Sequence, residues 1–527
     1  MADGRDSPVA SPAGMSSSVR NGCRCFRAGV GIISPVSSAA GSVGRGRVGN
    51  GGSVGRNVDI TAVAERSRAR AGVTRPGRPG PWWIGAWLCL AAGISLRAWG
   101  IGSHDLTFDE AFTGTAARRP VADLFDFLRT SDTHPPLDYL IRAPFTAADS
   151  DLALRLPSVT WSVGTLLLLA WWMRAKGPFG ALVVIVASLA PFLVLHGREA
   201  RVYSLVMFLG VVAGLCSERW LDVPRRRYVF GVAAASALAL FAHSAALAPV
   251  GLLLFVPGLR RDQAAWTFRA AVGAALLAWA VSWGPAFIDQ ATGIRSFWIP
   301  LSTPDWVEVV AAATVSPVAA LVHVSAVLLG FGAVLLVVRH GRTGVVALPA
   351  FIVPFLVLAV LGAEIHVMLP RSFAFGAWVA AAALAAVVEE VRQRLGSPAA
   401  LLPLAAVAML LVPSSLEIVR EPRERHVALD ELRRRLEPGD RIAIGPTYFR
   451  PVIEWEFGGH DRFEPAGTTS GRFVMVDPSA RPSGRTHVLD HSRLPVAEGL
   501  VEGATRCAPD LETSSWLLRC ISSDSPS

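Results

Sequence analysis

The sequence predicts an α-helical membrane protein with many spans, and three observations lead to that fold class. Hydrophobic residues make up 52% of the 527 residues and charged residues 17%, and the mean hydropathy is +0.43. A soluble enzyme of this length is less apolar and carries more charge. Apolar runs long enough to cross about 30 Å of hydrocarbon recur along the chain. Basic residues exceed acidic ones by 50 to 41, and the basic residues lie in the N-terminal tail and in short links between these runs. This distribution is typical of membrane topology and not of a nucleic-acid-binding face.

The first 80 residues form a basic tail rich in Ser, Gly and Arg, with the stretch "GSVGRGRVGNGGSVGR". Such a composition cannot bury a core, so we expect residues 1–80 to be disordered and cytoplasmic. The first apolar run begins only at about Trp82, which does not fit a secretory signal peptide with a short n-region.

Eleven apolar runs follow the tail, and we expect about 11 to 13 transmembrane helices within residues 81–416. The runs cover residues 82–101, 156–173, 179–195, 201–217, 228–242, 244–258, 269–287, 318–338, 345–362, 372–388 and 399–415.

The links between the runs alternate in charge. If the tail lies inside, every inner link contains arginine or lysine, whereas the outer links carry fewer for their greater length, as the positive-inside rule requires. The sequence therefore predicts a multi-pass plasma-membrane protein with a cytoplasmic N-terminus and an extracytoplasmic C-terminal segment.

Three outer segments are long, namely residues 102–155, 288–317 and 417–527. The last alternates a helix-like stretch, "VALDELRRRLEPGD", with strand-like stretches, "RIAIGP", "RFVMVDP" and "THVLDH", which predicts a small extracytoplasmic α/β module. Cys507 and Cys520 would lie in the oxidising compartment, where a disulfide between them and two free thiols are equally compatible with the sequence.

Residues suited to chemistry collect on the predicted outer side. They lie in "SHDLTFDEAFTGTAARR", "DTHPPLDYL", "HGREARVYS", "RSFWIPLSTPDW" and "EIHVMLPRSFAFG". Arginines bind phosphate bidentately, and a carboxylate can take a proton from an acceptor hydroxyl. This combination favours a lipid-phosphate substrate at the outer membrane surface.

Structural alternatives exist for each motif. Charges that follow a span, such as Asp109 and Glu110, are often part of a solvated loop. Arginines at span entrances also occur as snorkelling residues, and Arg198 and Arg201 are spaced to share one helix face. Snorkelling explains Glu199 less well, because its carboxylate has a short stem.

The motifs together resemble the GT-C membrane glycosyltransferases. The stretches "FDEA", "HPPLDYL", "LALRLPSV" and "REARVYSL" occur in the family's order and on the expected side of the membrane. The resemblance covers residues 80 to 390 and is strongest from 102 to 210. It is nearest to the branch with bacterial protein O-mannosyltransferases, aminoarabinose transferases and RgtA/B/C/D-like proteins. It implies a GT-C fold and transfer of a sugar, with inversion, from a polyprenyl-phosphate donor to a protein, lipid or cell-envelope glycan.

The resemblance also implies roles for the acidic pair and for the charged motif that opens the fourth span. Asp109 matches the acidic residue of the first outer loop, which the family uses as the catalytic base, and Glu110 matches its partner. Glu199, Arg198 and Arg201 match the charged motif, in which the arginines hold the donor phosphate and the glutamate orients them or contacts the sugar.

Three further residues are assigned to substrate binding by the same resemblance. His134 matches the histidine of the "HPP" motif, Trp298 lies in a stretch that lines the donor groove, and Arg371 lies where relatives have an Arg-Tyr pair. Ser372 replaces that tyrosine here. The resemblance implies a hexosyl- or pentosyltransferase of mannosyltransferase-like type. It names no certain cofactor and leaves a divalent metal open, because some branches use one and others do not.

Two other classes of protein compete with this interpretation. A transporter or flippase of lipid-linked sugars needs ionisable residues near the bilayer midplane, broken helices or internal repeats. The apolar runs hold almost no acidic residues, and the two halves show no repeat. An inactive membrane scaffold that presents the C-terminal module predicts instead that the outer-loop charges are replaceable.

Overall fold

The computed structural model describes residues 80–132, 134–258, 260–293, 322–353, 370–420, 424–437, 440–445, 450–457, 464–469, 472–476, 485–491, 505–512 and 516–522. All of these described residues belong to one compact unit. The predicted N-terminal tail up to residue 79, and Trp298 with its outer loop, lie outside the described residues.

The chain is mostly helical. Among the described residues, the helices before the C-terminal segment are α1 Pro81–Ala98, α2 Phe108–Ala117, α3 Val121–Ser131, α4 Leu137–Thr146, α5 Asp151–Met173, α6 Gly177–Leu189, α7 Pro191–Arg198, α8 Tyr203–Asp222, α9 Arg226–Ala242, α10 Leu247–Leu253, α11 Gln263–Ser282, α12 Gly284–Gly293, α13 Val322–Arg339, α14 Gly341–Ala347, α15 Ala377–Leu395 and α16 Ser397–Val419. Short 3-10 or π turns cover Arg174–Lys176, Ser244–Ala246, Leu348–Ile352 and Pro370–Gly376.

Several helices are suited to a membrane. Among the described residues, five helical stretches are long and apolar enough to cross a bilayer: Asp151–Leu189, Tyr203–Asp222, Gln263–Ser282, Arg371–Leu395 and Ser397–Val419. Shorter apolar helices accompany them. This pattern supports a membrane-embedded protein.

The first of these stretches is a pair of helices. Gly177, with a φ of 60°, follows the 3-10 turn after α5, and α5 packs against α6. A positive φ is accessible to glycine at little cost, so the chain can reverse there. The second helix ends at Leu189, because Ala190 is extended and Pro191 begins α7. The prediction of one continuous run over residues 179–195 is therefore wrong at its C-terminal end.

The apolar run predicted over residues 244–258 also differs from the structure. It forms a 3-10 turn at Ser244–Ala246 and then the seven-residue helix α10. At about 1.5 Å per residue, α10 is far shorter than the roughly 30 Å hydrocarbon layer. Turns cover the four residues before Gly258, whose φ is 59°. Hydropathy alone did not reveal that this segment cannot cross the membrane as one helix.

The helical part has one continuous apolar core. In it α8 packs against α5 and α9, and α15 packs against α6, α13 and α16. Small residues allow close approach: a Cβ on Gly332 of α13 would lie 2.2 Å from the carbonyl oxygen of Ala383 on α15. Such small-residue contacts are typical of helices that pack in membranes.

Where the structure describes it, the C-terminal segment contains two helices and one mixed sheet. The helices are α17 Glu424–Arg435 and α18 Arg450–Phe457, and the strands are β1 Arg441–Gly445, β2 Glu464–Thr469, β3 Arg472–Val476, β4 Arg485–His491, β5 Thr505–Glu512 and β6 Trp516–Ser522. The strand order is β2-β3-β1-β4-β6-β5, in which only the β1–β4 pair is parallel. Cys520 on β6 is disulfide-bonded, and it pairs in register with Ala508 of β5, the strand that contains Cys507.

The C-terminal segment packs directly on α2, the first helix after α1. Trp455 of α18 lies over Gly114, where a Cβ would come within 2.4 Å of the indole ring. Arg118 donates to the Trp455 carbonyl oxygen at 2.9 Å, and its guanidinium lies 3.9 Å from the centre of the indole ring. Trp455 also donates to Asp151 Oδ1 at 3.1 Å. These contacts join the sheet-containing segment to the start of the helical part.

We expect Gly114→Ala to destabilise the protein, because the added methyl group overlaps the Trp455 ring. Overpacking of this kind costs roughly 1–3 kcal/mol, which a lower melting temperature in detergent would report. Gly251→Ala is the matched control, since nothing lies within 4 Å of the position of its Cβ. An unchanged melting temperature for Gly114→Ala would contradict the close contact. When Trp455→Leu is added to Gly114→Ala, we expect the melting temperature to recover, because the smaller side chain leaves room for the added methyl group.

Candidate functional site

The acidic pair lies at the start of α2, in a capping box. The Thr107 hydroxyl accepts a hydrogen bond from the Glu110 backbone N–H at 3.2 Å, and the Glu110 carboxylate accepts one from the Thr107 N–H at 2.8 Å. This reciprocal arrangement fixes the beginning of the helix. Asp109 is then the second residue of the first turn, where the helix dipole favours a negative charge.

Asp109 faces two arginines that come from distant parts of the chain. Arg371, on the 3-10 turn before α15, donates from Nη1 to Asp109 Oδ2 at 2.8 Å. Nη2 of Arg201 lies 4.0 Å from the same oxygen, while Nη1 of Arg201 donates to the Asp109 carbonyl oxygen and to Thr113 Oγ1. The Asp109 side chain remains 30% exposed. It is therefore an accessible carboxylate held between two cations.

A cavity of about 540 Å³ opens beside this carboxylate. Its lining contains both arginines and Asp109, and the remaining members are Thr107, Phe108, His196, Glu199 and Tyr203. Two donors on the lining side chains are buried without a hydrogen-bond partner among the described residues, namely Arg201 Nε and the Tyr203 hydroxyl. Buried donors of this kind are costly to leave unpaired, so the site is suited to an anionic or oxygen-rich ligand.

The pKa of Asp109 reflects opposing effects. Burial raises it, but the positive charges of Arg201 and Arg371 outweigh burial, so the pKa lies below its ordinary value. The carboxylate is therefore ionised at neutral pH, and it can accept a proton.

Glu110 is in a very different environment, although it is the next residue. Its side chain is 1% exposed. Arg155 of α5 donates to both carboxylate oxygens, at 2.7 and 2.8 Å, and the Ala200 N–H donates to Oε1 at 2.7 Å. Arg155 also donates to the carbonyl oxygens of residues 101, 104 and 105. Glu110 thus joins the first outer loop to α5 and to the turn between α7 and α8, and it is absent from the lining of the 540 Å³ cavity.

The charged motif between α7 and α8 is divided by a break in the helix. Glu199 is extended, with φ of −71° and ψ of 140°, so Arg198 and Arg201 do not share one helix face as the sequence predicted. Arg198 donates to the carbonyl oxygens of Leu96 and Trp99 at the end of α1, and it lines a separate cavity of about 40 Å³. Glu199 Oε2 lies 2.7 Å from His196 Nδ1, and this pair faces the larger cavity with Arg201.

His134 lies behind the cavity wall in an aromatic and imidazole cluster. Its Nδ1 is 3.0 Å from Asp132 Oδ1, and its ring centre is 4.7 Å from His243 and 6.3 Å from Tyr203. Tyr139 donates from its hydroxyl to the other oxygen of Asp132. Asp132 therefore orients His134 and Tyr139 beneath the site.

The pKa of Asp132 is about 2, which is below its ordinary value. Burial raises this pKa, but His134, Arg201 and Tyr139 together lower it by more than burial raises it. Because the folded pKa is lower than the unfolded one, the stability that Asp132 contributes is present above about pH 4 and is lost as the pH falls towards 2. A shift of this size corresponds to about 2 kcal/mol.

We expect Asp132→Asn to lower the melting temperature in detergent at pH 6, with the difference from the parent shrinking below pH 4. An equal difference at pH 6 and pH 3 would contradict this assignment.

Several residues in and around the site were not predicted as functional, among them Arg155, Asp132, Tyr203 and His196. Arg155 is a lone arginine near the start of an apolar run, which is a signal for a buried partner. Asp132 immediately precedes the His-Pro-Pro motif, and Tyr203 follows the charged motif. Within the residues that the structure describes, no group of three or more His, Cys, Asp or Glu side chains is arranged to hold a metal ion.

Comparison with known proteins finds similarity in structure and not in sequence. No protein-family profile matches the sequence, and no curated protein is similar to it by sequence. The solved structure of ArnT from Cupriavidus metallidurans in the apo state has a TM-score of 0.53 at 11% identity, covering 82% of this chain and 97% of that one. The same protein bound to undecaprenyl phosphate has a TM-score of 0.50 at 12% identity, covering 83% and 97%. The oligosaccharyltransferase of Archaeoglobus fulgidus, tethered to an acceptor peptide, has a TM-score of 0.44 at 12% identity, covering 71% and 63%.

The likeness to ArnT in the apo state extends over 97% of that protein's chain. The sequence resemblance to the GT-C glycosyltransferases is thereby confirmed at the level of architecture. This chain has the GT-C fold.

Proposed function

We propose that this protein is an integral membrane glycosyltransferase that moves a sugar from a polyprenyl-phosphate donor to an acceptor hydroxyl on the extracytoplasmic face, with inversion. One observation carries the proposal: a partly exposed carboxylate, Asp109, and two arginines, Arg201 and Arg371, line the same cavity of about 540 Å³. A base and phosphate-binding cations are the two elements that this reaction needs. ArnT, which has the same fold, has been solved with undecaprenyl phosphate, and this agrees with a polyprenyl-phosphate donor.

The chemistry follows from this arrangement. Asp109 takes the proton of the acceptor hydroxyl as its oxygen forms a bond to the anomeric carbon. The bond between that carbon and the phosphate oxygen breaks, and its electron pair leaves with the polyprenyl phosphate. Arg371 and Arg201 stabilise the negative charge of the leaving group, a contribution that is typically several kcal/mol. Attack opposite the leaving group inverts the anomeric centre.

Arg371 links donor binding to the strength of the base. In the absence of donor, Arg201 and Arg371 together hold the pKa of Asp109 below its ordinary value, and a carboxylate with a low pKa is a poor base. A donor phosphate competes with Asp109 for this guanidinium. When Arg371 turns to the phosphate, the pKa of Asp109 rises towards its ordinary value, and proton transfer becomes easier.

The other predicted site residues take supporting roles. Glu110 and Arg198 position the outer loop and the end of α1, since their polar contacts are to protein groups. Glu199 and His196 line the cavity and orient the sugar or the acceptor, and His134 supports the wall through Tyr203. Trp298 remains a prediction, as a residue that lines the donor groove.

The topology and domain limits are part of the same proposal. Residues 1–80 form the cytoplasmic tail, residues 81–416 the GT-C transmembrane domain, and residues 417–527 an extracytoplasmic module that contributes to acceptor choice. The donor sugar is a hexose or pentose, and the acceptor is a protein, lipid or cell-envelope glycan.

Turnover of a donor tests this proposal directly. The full chain, purified in detergent, is incubated with a panel of polyprenyl-phosphate sugars and a membrane extract as the source of acceptors, and released polyprenyl phosphate is measured. We expect time-dependent release with at least one donor. If no donor is consumed or bound, and vesicles containing the protein instead move a lipid-linked sugar between leaflets, the protein is a transporter and the transferase proposal fails.

A further inference from the structure

A second cavity, of about 160 Å³, lies between the first outer loop and the C-terminal segment. Phe112 and Arg119 of the α2 region line it on one side, with Phe127 of α3. Arg450 and Glu454 of α18 line it on the other side. A cavity of roughly 150 Å³ holds one six-membered ring such as benzene. This space is therefore large enough for a single ring.

This second cavity is connected to the catalytic region through α2. Phe108 lines the 540 Å³ cavity, Phe112 lines the 160 Å³ cavity, and their ring centres are 6.5 Å apart. At about 1.5 Å per residue, the helix carries Phe112 and Thr115 roughly 5 to 9 Å beyond Asp109. That separation corresponds to the next one or two sugar units of an acceptor whose reacting hydroxyl lies at Asp109.

The chemistry of the lining combines aromatic rings with positive charge. Phe112 and Phe127 are stacked, with centres 5.5 Å apart, and the Arg119 guanidinium lies 4.0 Å over the Phe127 ring. Nε of Arg119 is buried without a hydrogen-bond partner among the described residues, and no carboxylate in that part of the chain pairs with it. Arg450, by contrast, is paired with Glu454 at 2.7 Å. One positive charge is thus left over in the cavity.

We propose that the 160 Å³ cavity is an acceptor subsite for an acidic sugar, with the ring against Phe112 and its carboxylate or phosphate group at Arg119. This inference rests on the proposed function, because it extends the acceptor from Asp109 along α2. A neutral sugar offers the buried Nε–H of Arg119 only uncharged hydroxyl oxygens, whereas an anion supplies a stronger, charge-assisted hydrogen bond. The aromatic pair supplies the apolar face on which a sugar ring packs.

A matched pair of probes tests this subsite. Trigalacturonic acid and its methyl ester have the same backbone and differ in charge. Their binding to the full chain in detergent is measured by ligand-observed NMR titration. We expect the acid to bind at least about tenfold more tightly than the ester, the ratio expected for one charge-assisted hydrogen bond. We expect Arg119→Gln to remove this preference for the acid. Arg129→Gln is the control, because Arg129 is a half-exposed arginine on α3 that does not line the cavity. We expect this control to retain the preference.

Equal binding of acid and ester by the unmodified chain would overturn the subsite, whether or not the Arg119 variant folds. A preference that survives Arg119→Gln would overturn it as well. Release of polyprenyl phosphate by the unmodified chain is measured on the same preparation. Turnover without a preference for the acid refutes the subsite alone. A preference for the acid that depends on Arg119, with no donor consumed or bound, retains a binding site for an acidic sugar and refutes the transferase.

Discussion

Asp109→Asn is expected to lower sugar transfer by about 10²–10⁴-fold, the range typical for loss of a general base. Asparagine has nearly the same shape, but it cannot accept the acceptor proton. The protein should remain folded, because the Asp109–Arg371 ion pair is partly exposed, at 30% and 26%, and such pairs contribute about 1 kcal/mol or less. Initial rates at saturating donor provide the measurement.

Asp126→Asn is the matched control for this prediction. Asp126 is on the neighbouring helix α3, its side chain is 86% exposed, and it does not line the large cavity. We expect its rate to equal that of the parent. An Asp109→Asn rate within threefold of the parent would show that Asp109 is not the catalytic base.

Glu110→Gln is expected to act on stability, in contrast to its neighbour. The substitution leaves Arg155 buried without its carboxylate partner, and breaking a buried pair in this way typically costs about 3–5 kcal/mol. The carbonyl oxygens that also contact Arg155 reduce the loss but do not neutralise the charge. Unfolding of the detergent-solubilised protein by SDS titration would measure the change.

A double-mutant cycle separates this contact from general damage. The variants are Glu110→Gln, Arg155→Gln and the combination, with Asp126→Asn as the exposed control. If the pair is coupled, the double variant should lose clearly less stability than the sum of the single losses. Strict additivity, or a stability unchanged by Glu110→Gln, would contradict the buried ion pair and return Glu110 to the list of candidate catalytic groups.

The sequence was sufficient to predict the membrane class, the positions of most helices and the strands that begin at Arg441, Arg472 and Arg485. Local patterns of hydrophobicity carry that information. The same patterns did not show that Ala190 and Pro191 interrupt one predicted run, or that residues 244–258 form only a short helix. Chain breaks within apolar segments depend on packing that a hydropathy average does not contain.

The composition of the site was less accessible than the fold. Motif resemblance named Asp109, Arg201 and Arg371, and the structure brings these three into one cavity. The different fates of Asp109 and Glu110 depend on partners that are far away in the chain: Arg371 lies 262 residues from Asp109, and Arg155 lies 45 residues from Glu110. Adjacent carboxylates look equivalent in a sequence, and only the fold distinguishes the accessible one from the buried one.

The binding of undecaprenyl phosphate to the Asp109→Asn and Arg371→Gln variants distinguishes the roles of these two side chains. If Asp109 is the base and Arg371 binds the phosphate, removal of the carboxylate releases the arginine for the ligand. The account predicts opposite changes in Kd: at least parental affinity for Asp109→Asn, and binding weakened by about tenfold or more for Arg371→Gln, as for loss of a charge-assisted contact. Equal weakening by both substitutions, or no change with either, would contradict it.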